Sequence, residues 1–249
     1  MNKQRSQWQK FVALAIAIFL TIFSNHTLAL SQSATASFPS KIHSLPESLH
    51  NWKDNNNSGD YFSQVESTPL GYLVWSQFPI TVYIEQPVSF TDSAEDKRFG
   101  QWVERVKQAI AQWNRYLPLK IVSEAETANI TVWRSQPKRE IKRNPNTGLF
   151  DIPRAVTAET NYKFYLQKNP VMVAHKMTVH ISPNFTGVSL LATIRHELGH
   201  ALGIWGHSPQ MEDALYFSQV KNPLPISDRD INTLKKIYQQ PTKLGWKID

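Results

Sequence analysis

The decisive stretch is His196-Glu197-Leu198-Gly199-His200-Ala201-Leu202-Gly203-Ile204-Trp205-Gly206-His207-Ser208. Histidines four apart on a helix differ by about 40° in direction and roughly 6 Å along the axis. His196 and His200 therefore point from one face and can share a metal ion. Glu197 lies beside that face, where a carboxylate can take a proton from an attacking water. Gly203 suits the left-handed conformation that ends a helix and turns the chain back. His207 arrives four residues later as the third ligand, with Gly206 giving freedom to its approach. Three protein ligands and one open position are what a catalytic zinc site requires.

The chain contains no cysteine. Disulfide scaffolds, thiolate-ligated metals and thiol catalysis are thereby excluded. An imidazole-rich site without sulfur points to zinc. Asp213 or Glu212 is the alternative third ligand, which would give a different class of zinc site.

Val188 to Gly203 reads as the helix carrying the site, with Leu191, Ile194, Leu198 and Leu202 as its apolar stripe. Before it, Ile80, Val82 and Ile84 alternate along a strand within Pro79 to Glu85. Phe99, Trp102, Val103, Val106, Ile110 and Trp113 mark a helix between Ser93 and Tyr116. Leu119 to Val122 and Ala128 to Trp133 read as strands. Ala155 to Tyr165 is a weaker strand, and Lys176 to Ile181 a better one. Arg134 to Arg154 reads as an exposed basic loop. After the site, Ser227 and Asp230 can cap a last helix that buries Ile231, Leu234, Ile237 and Tyr238. The expected fold is α/β (α+β): a mixed twisted sheet with an active-site helix and a C-terminal helix. His175 and His180 read as exposed strand histidines. Trp75, Trp102, Trp113 and Trp133 read as core.

The motif is similar to that of the metzincin zinc peptidases, and of the matrixins among them: His-Glu-x-x-His-x-x-Gly-x-x-His followed by Ser. His196, Glu197, His200, Gly203 and Ser208 match. The third His is displaced by one residue, because Gly206 stands in its place and His207 follows. The resemblance implies a turn beneath the metal with a Met, where Asp213-Ala214-Leu215-Tyr216 carries Leu215 instead. It implies zinc held by His196, His200 and His207, Glu197 as general base, and hydrolysis of a protein or peptide substrate. It further implies a substrate extended along an edge strand, for which Lys176 to Ile181 is the candidate. The S1′ pocket would be lined by Tyr216 to Ile226, with Tyr216 as an oxyanion aid. Latency through a leader cysteine is excluded by composition. A non-catalytic zinc-binding interaction module on the same fold is the competing reading, motivated by the displaced His and the missing Met.

Residues 1–29 read as a signal peptide. Lys3, Arg5 and Lys10 precede the uncharged run Phe11 to Phe23, and Thr27-Leu28-Ala29 offers a cleavage site. As a helix the 13-residue run spans roughly 20 Å, short of a bilayer's apolar thickness of about 30 Å. A secreted or periplasmic location is expected, with no membrane insertion of the mature domain unless the signal is retained as an anchor. Residues 30–74 read as a leader or linker and 75–249 as the peptidase domain. The chain's net charge of +7 falls to four once the three N-terminal cations are removed. That excess, unaccompanied by a basic block or stacking platform, argues against nucleic acid. A monomer is expected, and calcium sites are not legible.

Overall fold

The computed structural model describes residues 38–88, 93–137, 142–143, 150–151, 157–218 and 223–248. The expected signal peptide lies outside the described residues. No helix among the described residues is long and apolar enough to cross a membrane.

Residues 39–249 form one compact unit. A short helix α1 (Glu47–Asn51) leads to β1 (Ile80–Ile84), α2 (Ala94–Trp113), β2 (Leu119–Val122) and β3 (Ile130–Trp133). The small strands β4 (Lys142–Arg143) and β5 (Phe150–Asp151) pair with each other, inside the stretch expected to be loop. Two long strands follow, β6 (Ala158–Lys168) and β7 (Val171–Ile181). Helix α3 (Gly187–Ala201) carries the motif, and α4 (Asp228–Tyr238) is the last.

The main sheet has the order β2-β1-β3-β7-β6. All its neighbours run parallel except β6, which is antiparallel to β7. This corrects the expected substrate edge. The strand containing Lys176 to Ile181 is interior, paired with β3 on one side and with β6 on the other. The edge on this side of the sheet, among the described residues, is β6, the weaker strand by pattern.

Side-chain alternation gives the sheet its buried face. Ile80, Val82 and Ile84 from β1, Ile130 and Val132 from β3, and Met177, Val179 and Ile181 from β7 are all essentially inaccessible. Helices α2 and α3 pack together, and the Trp113 indole N–H donates to the Arg195 carbonyl at 2.9 Å. On α2 the expected apolar face is buried from Trp102 to Trp113, and Ser93 caps it by accepting from the Asp96 N–H. On α3 the buried stripe includes Leu190 rather than Leu191.

His175 is not the exposed strand histidine that its surroundings suggest. It shares the inward face of β7 with Met177 and Val179, is 2% exposed, and stacks on Trp75 with ring centroids 3.9 Å apart. Burial holds its pKa down at about 3. His180 is half-buried and bonds the Ser135 hydroxyl through Nδ1 at 2.7 Å.

Residues 39–74 are mostly irregular in backbone, apart from α1 and a 3-10 turn at Phe62–Gln64, yet are packed on the body. Leu49, Tyr61, Val65, Leu73 and Val74 are buried. Lys41 and Gly71 both bridge Thr242, and Val65 bridges Gly206. The anchor is Asp230, which is 0% exposed. It forms a reciprocal cap with Ser227 at the start of α4. It also accepts from the Tyr61 hydroxyl at 2.6 Å and from the Ala214 N–H at 2.9 Å. One carboxylate thus joins the N-terminal segment, the turn at Ala214 and the last helix.

Two outcomes follow from these contacts. Tyr61→Phe removes one donor from a buried carboxylate and should lower unfolding free energy by about 1–3 kcal/mol in urea titration, whereas a loosely attached leader would register no change. His175 has its folded pKa depressed, so its stabilising effect is full above its free value of about 6.5 and fades as pH falls towards 3. At pH 5 this amounts to about 2 kcal/mol, and His175→Phe should shrink the stability difference between pH 7.5 and pH 5 by that amount.

Candidate metal centre and active site

Helix α3 sets the site by burying its opposite side and by having its C-terminal carbonyls satisfied. A helix end leaves about four carbonyls without helical partners. Here the Trp75 indole donates to the Ala201 carbonyl at 2.9 Å and the Tyr238 hydroxyl to the Leu202 carbonyl at 3.0 Å. Gly203 then turns the chain at φ +123, a left-handed value that favours glycine. A Cβ there would lie 2.4 Å from the Leu73 carbonyl oxygen, so the N-terminal segment presses directly on this turn. At Gly206 a Cβ would lie 2.1 Å from the Gln64 carbonyl oxygen. The residue occupying the third histidine's usual place therefore has no room for a side chain.

After this turn His207 comes back to the helix. Ligand nitrogens of His196, His200 and His207 lie within 4.8 Å of one another. Ring centroids are 4.7 Å apart for His196 and His200, 5.2 Å for His196 and His207, and 4.8 Å for His200 and His207. Asp213, the alternative ligand, is turned away. Its carboxylate accepts from the Ser208 hydroxyl, from the Ser227 hydroxyl at 2.6 Å, and from Arg229 Nε at 3.0 Å. Glu212 is exposed and is not in the three-histidine group.

The protonation pattern fits a cation. His196 Nδ1 faces the Ala214 carbonyl at 2.9 Å, and His200 Nδ1 faces the Ile204 carbonyl at 2.7 Å. A carbonyl only accepts, so both Nδ1 atoms carry the proton and both Nε2 atoms present lone pairs. These two Nε2 atoms are 3.1 Å apart. Burial holds the two pKa values down at about 4 and about 3, so both rings are neutral at ordinary pH. Two lone pairs at that distance repel unless a positive centre lies between them. Zinc–nitrogen bonds of about 2.0–2.1 Å at tetrahedral angles place ligand nitrogens at about this spacing.

Glu197 is 8% exposed. Burial pushes its carboxyl up to about 7, with the nearby Glu159 adding to the rise and the Thr160 hydroxyl, which donates to it at 2.6 Å, opposing it. Thr160 belongs to β6, so the free strand edge and the acid are fastened together. An open hollow exposes Glu66, Glu159, Glu197 and the three histidines. A second cavity of about 190 Å³ shares Ala158, His196 and Glu197 with that hollow and is lined further by Thr193, Arg195, Tyr216, Phe217 and Leu224.

Leu215 is 0% exposed and packs under α3, where a Cβ on Gly199 would lie 2.6 Å from its Cδ2. Met211 is exposed. Tyr216 packs against Phe217 with the two rings tilted by 50° and lines the second cavity, not the three-histidine hollow. Trp205 packs edge-on against Tyr162 of β6 and against His200. Sequence reasoning missed Thr160, whose only signal is its place on an edge strand, and Glu66, which has none.

A comparison with curated proteins found no match. The matrixin family model (Peptidase_M10) matches residues 86–239, a span that holds α2, every strand of the main sheet except β1, the three histidines and Asp230. The chain belongs to the matrixin family of metallopeptidases.

Proposed function

We propose that the protein is an exported zinc endopeptidase in which Glu197 acts as the general base. The observation that carries this reading is the pair of Nε2 lone pairs 3.1 Å apart, beside a buried carboxylate and an open hollow. Zinc, when bound, supplies Lewis acidity to the substrate carbonyl and to the attacking water. His196, His200 and His207 would hold it.

The chain's own groups do the rest. Glu197 takes the proton of the attacking water and passes it to the leaving amine. Thr160 holds the Glu197 carboxylate in place through its hydroxyl. The outer edge of β6, which no strand covers among the described residues, offers backbone groups to an extended peptide, the mode in which a strand is added to a sheet. Its Ala158–Thr160 end borders the three-histidine hollow. A substrate lying there has its scissile bond beside Glu197 and one flanking side chain over the second cavity. Export rests on the N-terminal cations, the short apolar run and the Thr27-Leu28-Ala29 site.

Glu197→Gln should retain one zinc per chain, measured by atomic absorption, yet lose at least a hundredfold of turnover on a denatured protein substrate. Activity within tenfold of the unaltered chain would remove Glu197 from its role. His207→Ala should weaken zinc affinity at least tenfold in a chelator competition. Asp213→Ala should lower thermal stability with a smaller effect on zinc, and the opposite ranking would reassign the third ligand.

A further inference from the structure

The cavity beside Glu197 has an unusual floor. Arg195 lines it and is only 6% exposed. A buried guanidinium is ordinarily matched by a carboxylate, because an unpaired charge in a dry site is costly. Among the described residues Arg195 has no carboxylate within ion-pair distance; the buried Asp230 acts on it only from farther away, its oxygens being bonded to Tyr61, Ser227 and Ala214. The Arg195 Nε donates to the Gln112 side-chain carbonyl at 2.8 Å, and its Nη1 donates to the Leu224 main-chain carbonyl. Both partners are neutral. The two acids that share the cavity are committed elsewhere: Asp213 to Ser208, Ser227 and Arg229, and Glu197 to Thr160.

The two bonds also fix the guanidinium. Gln112 is on α2 and Leu224 is on the segment leading to α4, so the cation is pinned between two walls. A pinned, partly satisfied guanidinium has donors left over in a planar array, the arrangement that receives a carboxylate in bidentate fashion. A cavity of about 190 Å³ is below the roughly 300–1,000 Å³ typical of whole-ligand pockets and suits a single side chain.

We propose that Arg195 makes this cavity a receptor for an acidic side chain next to the scissile bond, so that the enzyme selects peptides carrying Glu or Asp at that position. The inference rests on the peptidase reading above. A site built around a buried donor rejects ligands that leave it unpaired far more strongly than a purely apolar pocket rejects a misfit. Glu is favoured over Leu, Gln falls between them, and Lys is excluded by like charge.

The test uses the full chain loaded with zinc and a peptide set varied at the residues flanking one cleavable bond, with Glu, Asp, Gln, Leu or Lys at each position. Products are read by mass spectrometry. The expected result is a Glu-to-Leu ratio in kcat/KM of at least tenfold at one flanking position. Arg195→Met should bring that ratio to one or below, and Arg195→Lys should keep it above three. Because Arg195 also ties two walls together, the ratio and not the absolute rate is the measure.

The same peptides titrated onto the Glu197→Gln protein by calorimetry report preference without turnover. Cleavage without acid preference, or a preference untouched by Arg195→Met, overturns the inference and leaves the peptidase reading standing. Absence of cleavage together with Arg195-dependent binding of the acidic peptide keeps the acidic receptor and overturns the peptidase reading. Absence of both overturns both.

Discussion

Everything at this site follows from two imidazole lone pairs forced to face each other. The main-chain carbonyls of Ala214 and Ile204 hold the Nδ1 protons of His196 and His200, so neither ring can turn its donor towards the other. Their Nε2 atoms are left 3.1 Å apart in a setting that also disfavours protonation. Folding accepts that repulsion only because the surrounding structure overdetermines it, and a divalent cation relieves it. The supports are spread widely: Trp75 and Tyr238 hold the helix end, Leu215 fills the space under Gly199, and Asp230 fixes the turn that provides the Ala214 carbonyl.

The displaced third histidine illustrates how little the matrixin pattern needs to be literal. Gly206 takes the residue position that usually carries the ligand, and a side chain there would run into the Gln64 carbonyl. The chain therefore spends one residue on passing a tight contact before His207 turns inward. In the same way Leu215 fills the floor that the resemblance assigns to a Met. An apolar side chain of similar bulk suffices, because that position packs below the histidines and does not ligate.

The parts legible in the sequence were those with short-range periodicity. His196 and His200 declare their common face through spacing alone, and α2 and α4 declare theirs through apolar stripes and caps. The pairing partners of strands do not. Lys176 to Ile181 has the cleaner alternation because it is covered on both edges, and that coverage disqualifies it as the rim of a cleft. Ala155 to Tyr165 reads weakly because β6 mixes Glu159 and Lys163 with Tyr162 and Phe164 along a half-exposed edge. His175 could have been placed inside by extending the Met177–Val179–Ile181 alternation one step further back. The packing of residues 39–74 was invisible because its contacts are single bridges and isolated side chains, which leave no period. Nor does any local pattern announce that Arg195 has no acid within ion-pair distance among the described residues.

The outer flank of β6 remains to be considered. Eleven residues long, it has no strand on its far side among the described residues. Such a margin invites a second copy of the same chain to pair with it, the first step towards fibrous aggregates. Lys163 and Lys168 are exposed along it, and a neighbour pairing in antiparallel register would bring like charges together. The end bearing Ala158 and Thr160 carries no such cation. The strand is thus guarded against its own kind over its distal half and left open beside the three-histidine hollow.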